Sequence, residues 1–169
     1  MHFPVDTRNL AEQVIDQCRR RGHMVATAES CTGGLVAGAL TEIAGSSDVV
    51  DRGFVTYSND AKADMLGVPM PLIESVGAVS EEVARAMAEG ALSRSNAAIT
   101  VSVTGIAGPG GGTAQKPVGL VHFGVASSFC ETRHIERRFG DRSRSEIRQA
   151  SVNQALSLLL DFSVSINGL

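Results

Sequence analysis

The chain is short of several things, and each shortage excludes a class of protein. No apolar run approaches the ~20 residues that a membrane-spanning helix needs. The amino-terminal stretch MHFPVDTRNLAEQ turns polar before a signal-peptide core can form. A cytoplasmic protein with no membrane partner is therefore expected. Cysteine is scarce: Cys18, Cys31 and Cys130 are odd in number, widely spaced and without a CxxC pair, which argues against a disulfide framework and against a zinc module. The histidines His2, His23, His122 and His134 include no pair at i, i+4, so no metal site is indicated. Basic excess is missing too: 15 basic against 18 acidic residues leave a net charge of −3, a poor match to nucleic acid.

Lysine is the most informative scarcity. Thirteen of the 15 basic residues are arginine, and only Lys62 and Lys116 are lysine. Arginine stays protonated at any working pH, whereas a buried lysine can lose its proton and act as a base. The single tyrosine, Tyr57, lies five residues before Lys62 in YSNDAK.

What is present fits one compact domain over residues 1–169, with 43% apolar and 20% charged residues. Apolar spacing predicts a helix over 6–21 stopped by Gly22, then a short buried strand over 23–28. A second helix is expected over 33–44 with Thr32 as its N-cap. A strand over 49–57, a short helix over 61–66 and a proline-marked loop through Pro69 and Pro71 follow. Ser80 caps a helix running to about Arg94, and AAITVSVT (97–104) reads as a central strand. Residues 105–117 are too rich in glycine for regular structure; 118–127 and 132–139 read as an antiparallel hairpin, and a last helix runs from 142 or 143 to 162. This order predicts a three-layer α/β/α sandwich with a mixed sheet, parallel early and antiparallel late.

Ligand sites of such sheets lie beyond the carboxyl ends of the parallel strands. Three polar clusters fall there: Glu29 to Gly34, Tyr57 to Lys62 and Thr104 to Lys116. Ser30 fits a nucleophile presented at a strand-to-helix turn, and equally a hydroxyl that satisfies helix-terminal donors. Cys31 is a competing nucleophile or a packing residue. Glu29 fits a base or a hydrogen-bonding anchor of the turn. Lys62, desolvated at the start of a helix, fits the base for Ser30; the alternative is a solvated surface lysine. Tyr57 fits a proton relay or a donor to developing charge. Backbone N–H groups of the turn suit an oxyanion. The glycine loop from Gly105 fits a mobile rim or a plain exposed connection, with Lys116 as a surface charge on it. Of Arg142, Arg144 and Arg148 at the start of the last helix, Arg142 is the first candidate for a phosphate, against an ordinary ion-paired helix face.

The stretches TAESCTGGLVAGALTEIAGSS, GFVTYSNDAK, GAVSEEVARAMAEGA, TGIAGPGGGTAQKPVGLV and GDRSRSEIR together resemble the CinA C-terminal domain family, which includes stand-alone nicotinamide-nucleotide amidohydrolases. The resemblance covers about residues 7–160. It implies a three-layer α/β/α fold and hydrolysis of the carboxamide of nicotinamide mononucleotide to nicotinate mononucleotide and ammonia, in pyridine-nucleotide salvage, with no metal or cofactor. By motif it implies Ser30 as nucleophile, Lys62 as base and Tyr57 beside them. It further implies polar roles for Ser47, Thr104 and Arg142, and a homo-oligomer; Thr32, Gly33, Gly34 and Gly105 join them as substrate-binding candidates through the backbone of the turn and of the glycine loop. The N-terminal domain of the CinA proteins has no counterpart in the resemblance, so its activity does not carry over. A nucleotide-binding or regulatory module of the competence/damage-inducible type, and an amidase for another amide, are the competing readings.

Overall fold

A computed structural model describes residues 3–165. A five-stranded sheet of order β2-β1-β3-β4-β5 forms the middle layer. Its strands are β1 (Val25–Glu29), β2 (Val50–Val55), β3 (Ile99–Gly105), β4 (Leu120–Ser127) and β5 (Arg133–Arg138). β1 runs parallel to both β2 and β3, whereas β3–β4 and β4–β5 are antiparallel. The sheet is thus mixed in the expected sense.

The two faces are covered by different helices because β3 alternates two kinds of side chain. Val101 and Val103 enter a large apolar core with residues of α1 (Val5–Arg21), α2 (Leu35–Thr41) and α6 (Arg144–Ser165). Thr100, Ser102 and Thr104 point the other way, as the period of two requires. Thr100 and Ser102 donate to the Ala88 and Ala84 carbonyls of α5 (Glu81–Ser93) at 2.7 and 2.6 Å, and Thr104 donates to Ala78 O, just before α5, at 2.8 Å. Buried hydroxyls in a central strand thereby find acceptors, and they draw the helix close. Small residues permit the approach: a Cβ on Gly124 of β4 would strike the Ala84 carbonyl. A smaller apolar cluster on this face joins α5 to α3 (Asn59–Leu66) and α4 (Met70–Val76).

Two expectations need correction. Pro69 and Pro71 do not mark a loop but open α4, where proline's fixed φ and missing N–H suit a first helical turn. Thr32 does not cap α2. The helix begins only at Leu35, after Gly33 and Gly34 at φ +59° and +95°, and Thr32 Oγ1 is buried without a partner among the described residues. The capping is done instead by Glu29, 1% exposed at the end of β1, whose carboxylate accepts from Gly34, Val36 and Ala37 N–H at 2.9–3.1 Å. A carboxylate at a helix start meets both the free donors and the positive dipole end. Among the described residues, no helix is long and apolar enough to cross a membrane.

Candidate active site

The register places the carboxyl ends of the parallel strands side by side: Glu29 pairs with Val55 on one side and Val103 on the other. Ser30 follows directly, its N–H bonded to Val103 O, and the chain beyond β2 takes Thr56 N–H to Glu29 O. The two polar clusters are therefore sewn together by main-chain hydrogen bonds before any side chain is considered.

Lys62 is the centre of the arrangement. It lies in the first turn of α3, which Ser58 caps by accepting from Ala61 N–H at 3.0 Å. Its side chain folds back along the helix start and is 1% exposed. Nζ lies 2.9 Å from Thr56 O, 3.3 Å from Tyr57 O and 3.1 Å from Ser30 Oγ. Burial holds its pKa below the ordinary 10.5. A neutral amine has two N–H donors and one lone pair. Once Lys62 is deprotonated and the two carbonyls take its donors, its lone pair would face the serine hydroxyl, the geometry for removing that proton. The solvated-surface alternative for Lys62 is excluded by its burial.

Cys31 is 6% exposed, and burial pushes its thiol pKa up to about 12. A thiol so held is not ionised near neutral pH and packs rather than reacts. The turn's N–H groups are partly committed: Gly33 N–H bonds Ser30 O at 3.0 Å and Gly34 N–H goes to Glu29. Among the described residues, the N–H groups of Cys31 and Thr32 are left without an acceptor on another residue.

The other expected site residues are distributed unevenly. Tyr57 is 61% exposed, and its phenol oxygen accepts from Arg144 Nη2 at 3.1 Å; its carbonyl, not its phenol, contacts Lys62. Thr104 reaches the level of the site, but its hydroxyl is spent on Ala78 O. Gly105 is the last residue of β3, where a Cβ would lie 2.8 Å from Leu120 O, so packing against β4 demands glycine there. Ser47 sits in a short 3-10 turn (Ser46–Asp48) before β2. That is the amino end of the parallel strands, opposite to Ser30, and within this chain it does not join the site. Arg142 precedes α6, stacks over Phe139 and borders a shallow surface cavity of about 290 Å³ with Glu146, Gln149 and Asn153.

Arg144 and Arg148, four residues apart on one face of α6, are the arginines that reach the site. Arg144 Nη1 donates to Gly108 O at 2.8 Å and so ties Tyr57 to the glycine loop. Arg148 donates from Nε to Cys31 O and from Nη2 to Thr32 O, both at 3.1 Å. Their i, i+4 spacing in SRSEIR is the signal that favours them over Arg142. Lys116, expected as a surface charge, donates to Val76 O at 2.7 Å and anchors the same loop to the end of α4. His23, His122 and His134 lie outside this constellation, and His2 lies outside the described residues.

Comparison with known proteins gives a consistent picture. The family model described as the CinA C-terminal domain matches residues 7–163. A CinA-like protein of Synechococcus sp. is 54% identical over 159 residues, covering 93% of this chain but 38% of that protein. A CinA-like protein of Chlorobium phaeovibrioides is 48% identical over 152 residues, 86% of this chain and 36% of the relative. The chain thus spans little more than a third of these relatives. Among solved structures, the competence/damage inducible protein CihA of Agrobacterium tumefaciens is 58% identical with a TM-score of 0.93, covering 95% of this chain and 98% of that one. A CinA superfamily protein from Klebsiella pneumoniae is 31% identical with a TM-score of 0.89, over 94% of this chain and 98% of the other.

Proposed function

Because this chain belongs to the CinA C-terminal domain family, we propose that it is a serine amidohydrolase, cleaving the carboxamide of nicotinamide mononucleotide to nicotinate mononucleotide and ammonia. The observation that carries the reading is the buried Lys62 amine 3.1 Å from Ser30 Oγ, with no other titratable side chain among the described residues hydrogen-bonded to either atom. A pocket that only holds a nucleotide has no use for a desolvated lysine aimed at a hydroxyl, and burying one costs stability. The choice of amide comes from the family resemblance.

In the reaction, Lys62 Nζ takes the Ser30 proton as Oγ attacks the carboxamide carbon. The charge that develops on the amide oxygen is met by the unengaged N–H groups of the turn. The positive pyridinium ring makes that carbon more electrophilic. As the tetrahedral adduct collapses, the C–N bond breaks and Lys62 returns its proton to the nitrogen, which leaves as ammonia. A water, deprotonated by Lys62, then attacks the acyl-serine ester, nicotinate mononucleotide departs, and Ser30 recovers its proton. Tyr57 and Arg144, exposed at the mouth beside the glycine loop, are placed to meet the rest of the nucleotide; Arg144 offers the charge for its phosphate.

The test is ammonia release from nicotinamide mononucleotide by the purified protein and by Ser30→Ala. Release by the first and its loss in the second is expected. If neither releases ammonia while the mononucleotide still binds, the cleft belongs to a binding or regulatory module. If Ser30→Ala keeps turnover, the serine assignment fails.

A further inference from the structure

Arg148 holds no carboxylate within 4.0 Å among the described residues; its donors go to two consecutive carbonyls of the nucleophile turn. We infer that Arg148 is the positioning residue of the oxyanion site: by gripping the Cys31 and Thr32 carbonyls it aims the Thr32 N–H at the reacting oxygen. This rests on the amidohydrolase reading of the same site.

The inference follows from peptide geometry. In a trans peptide, the C=O of one residue and the N–H of the next point in opposite directions. Arg148 Nε holds Cys31 O at 3.1 Å, so the Thr32 N–H of that same peptide points away from Arg148. Arg148 Nη2 holds Thr32 O, which turns the Gly33 N–H away as well, and that N–H is taken by Ser30 O. Of the two donors so aimed, only Thr32 N–H has no acceptor among the described residues. Its direction also suits the chemistry. Arg148 rises from α6 on one face of the sheet, while Lys62 belongs to α3 on the other. Away from Arg148 is therefore toward the side on which Lys62 meets the Ser30 hydroxyl.

Two further features agree. A guanidinium on a carbonyl polarises the peptide and strengthens its N–H as a donor. Gly33 and Gly34, both at positive φ, turn the chain into α2 directly after the two carbonyls that the arginine holds. A Cβ on Gly33 would lie 3.6 Å from Arg148 Nη2, so the guanidinium lies directly against this turn. The planar fork of arginine spans two carbonyls in a way that a lysine ammonium does not.

The experiment compares wild type, Arg148→Met and Arg148→Lys in two readouts. Steady-state ammonia release should show kcat down about 10- to 100-fold in Arg148→Met with KM changed by less than about threefold, and partial recovery in Arg148→Lys. The amide ¹H–¹⁵N spectrum of the ligand-free protein should show the Thr32 resonance displaced in Arg148→Met, with resonances of the distant sheet unmoved. Retained kcat in Arg148→Met overturns the inference, as does loss of kcat accompanied by general spectral collapse in both variants. If wild type releases no ammonia, the amidohydrolase reading fails by itself, and an undisplaced Thr32 resonance is then the result that overturns the orientation claim.

Discussion

At the scale of single residues, the arrangement is governed by what burial does to a proton. Ser30 is unremarkable alone; in the proposed reaction it becomes a nucleophile only beside an amine that gives up its proton. Desolvation favours the neutral amine by lowering the Lys62 pKa from 10.5, so a larger fraction is unprotonated than for a free lysine at the same pH. The rate should accordingly rise with pH as the amine loses its proton and level off above its pKa, an acid limb with a midpoint below 10.5. A pH profile of kcat/KM for ammonia release measures this directly, and a rate that falls with rising pH over that limb contradicts it. Lys62→Arg keeps the charge and cannot give it up, so it should lose about 10²–10⁴-fold in turnover. Burial acts oppositely on the neighbouring thiol, whose pKa of about 12 keeps it protonated. Cys31→Ala should therefore leave turnover near the wild-type level in the same assay, and a collapse with an intact fold would move the chemistry to Cys31.

At the scale of elements, the site depends on how α2 begins. Glu29 takes three of the helix-terminal N–H groups and a fourth hydrogen bond from Thr27 Oγ1 at 3.2 Å. Glu29→Gln puts an NH₂ group against those donors, and leaving buried donors unpaired should cost about 1–3 kcal/mol in chemical denaturation. An unchanged denaturation midpoint would mean that the carboxylate is not what holds the turn. Such long-range capping also marks the limit of what the sequence discloses. Helices bounded by Gly22 and Ser80 were legible because their stop and cap signals are local. The start of α2 was not, because its cap arrives from the strand before it rather than from Thr32. α4 was hidden because prolines that open a helix look like prolines that break one. Ser30, Tyr57 and Lys62 were legible as strand-end clusters, whereas Arg148 is 117 residues from Cys31 and only the packing of α6 joins them. Ser47 was drawn in by motif alone, and motif does not say at which end of a sheet a turn lies.

At the scale of the whole molecule, two buried basic groups on different elements set separate pH windows. His122 of β4 and His134 of β5 share a hydrogen bond, Nδ1 to Nε2 at 2.8 Å, and His134 Nδ1 faces Glu81 of α5 at 3.4 Å, with Arg85, Glu136 and Lys116 close by. Burial, above all, lowers both imidazole pKa values from 6.5. The unfolded chain therefore takes up protons near 6.5 that the native pair refuses until the pH is lower. The linked stability is full above 6.5 and is lost as pH falls through the native pKa values. Lys62 follows the same sign in a higher window: its native form gives up the proton before the unfolded lysine does at 10.5, so its contribution to stability rises as pH climbs toward that value. Thermal midpoints recorded across these two ranges should fall on the acid side and carry a rising component on the alkaline side. His122→Asn should flatten the acid fall without touching the alkaline component, and Lys62→Met should do the reverse. A single variant that abolished both would mean that the titrating groups are neither of these, since the histidine pair bonds α5 to the antiparallel strands and Lys62 bonds α3 to the parallel ones.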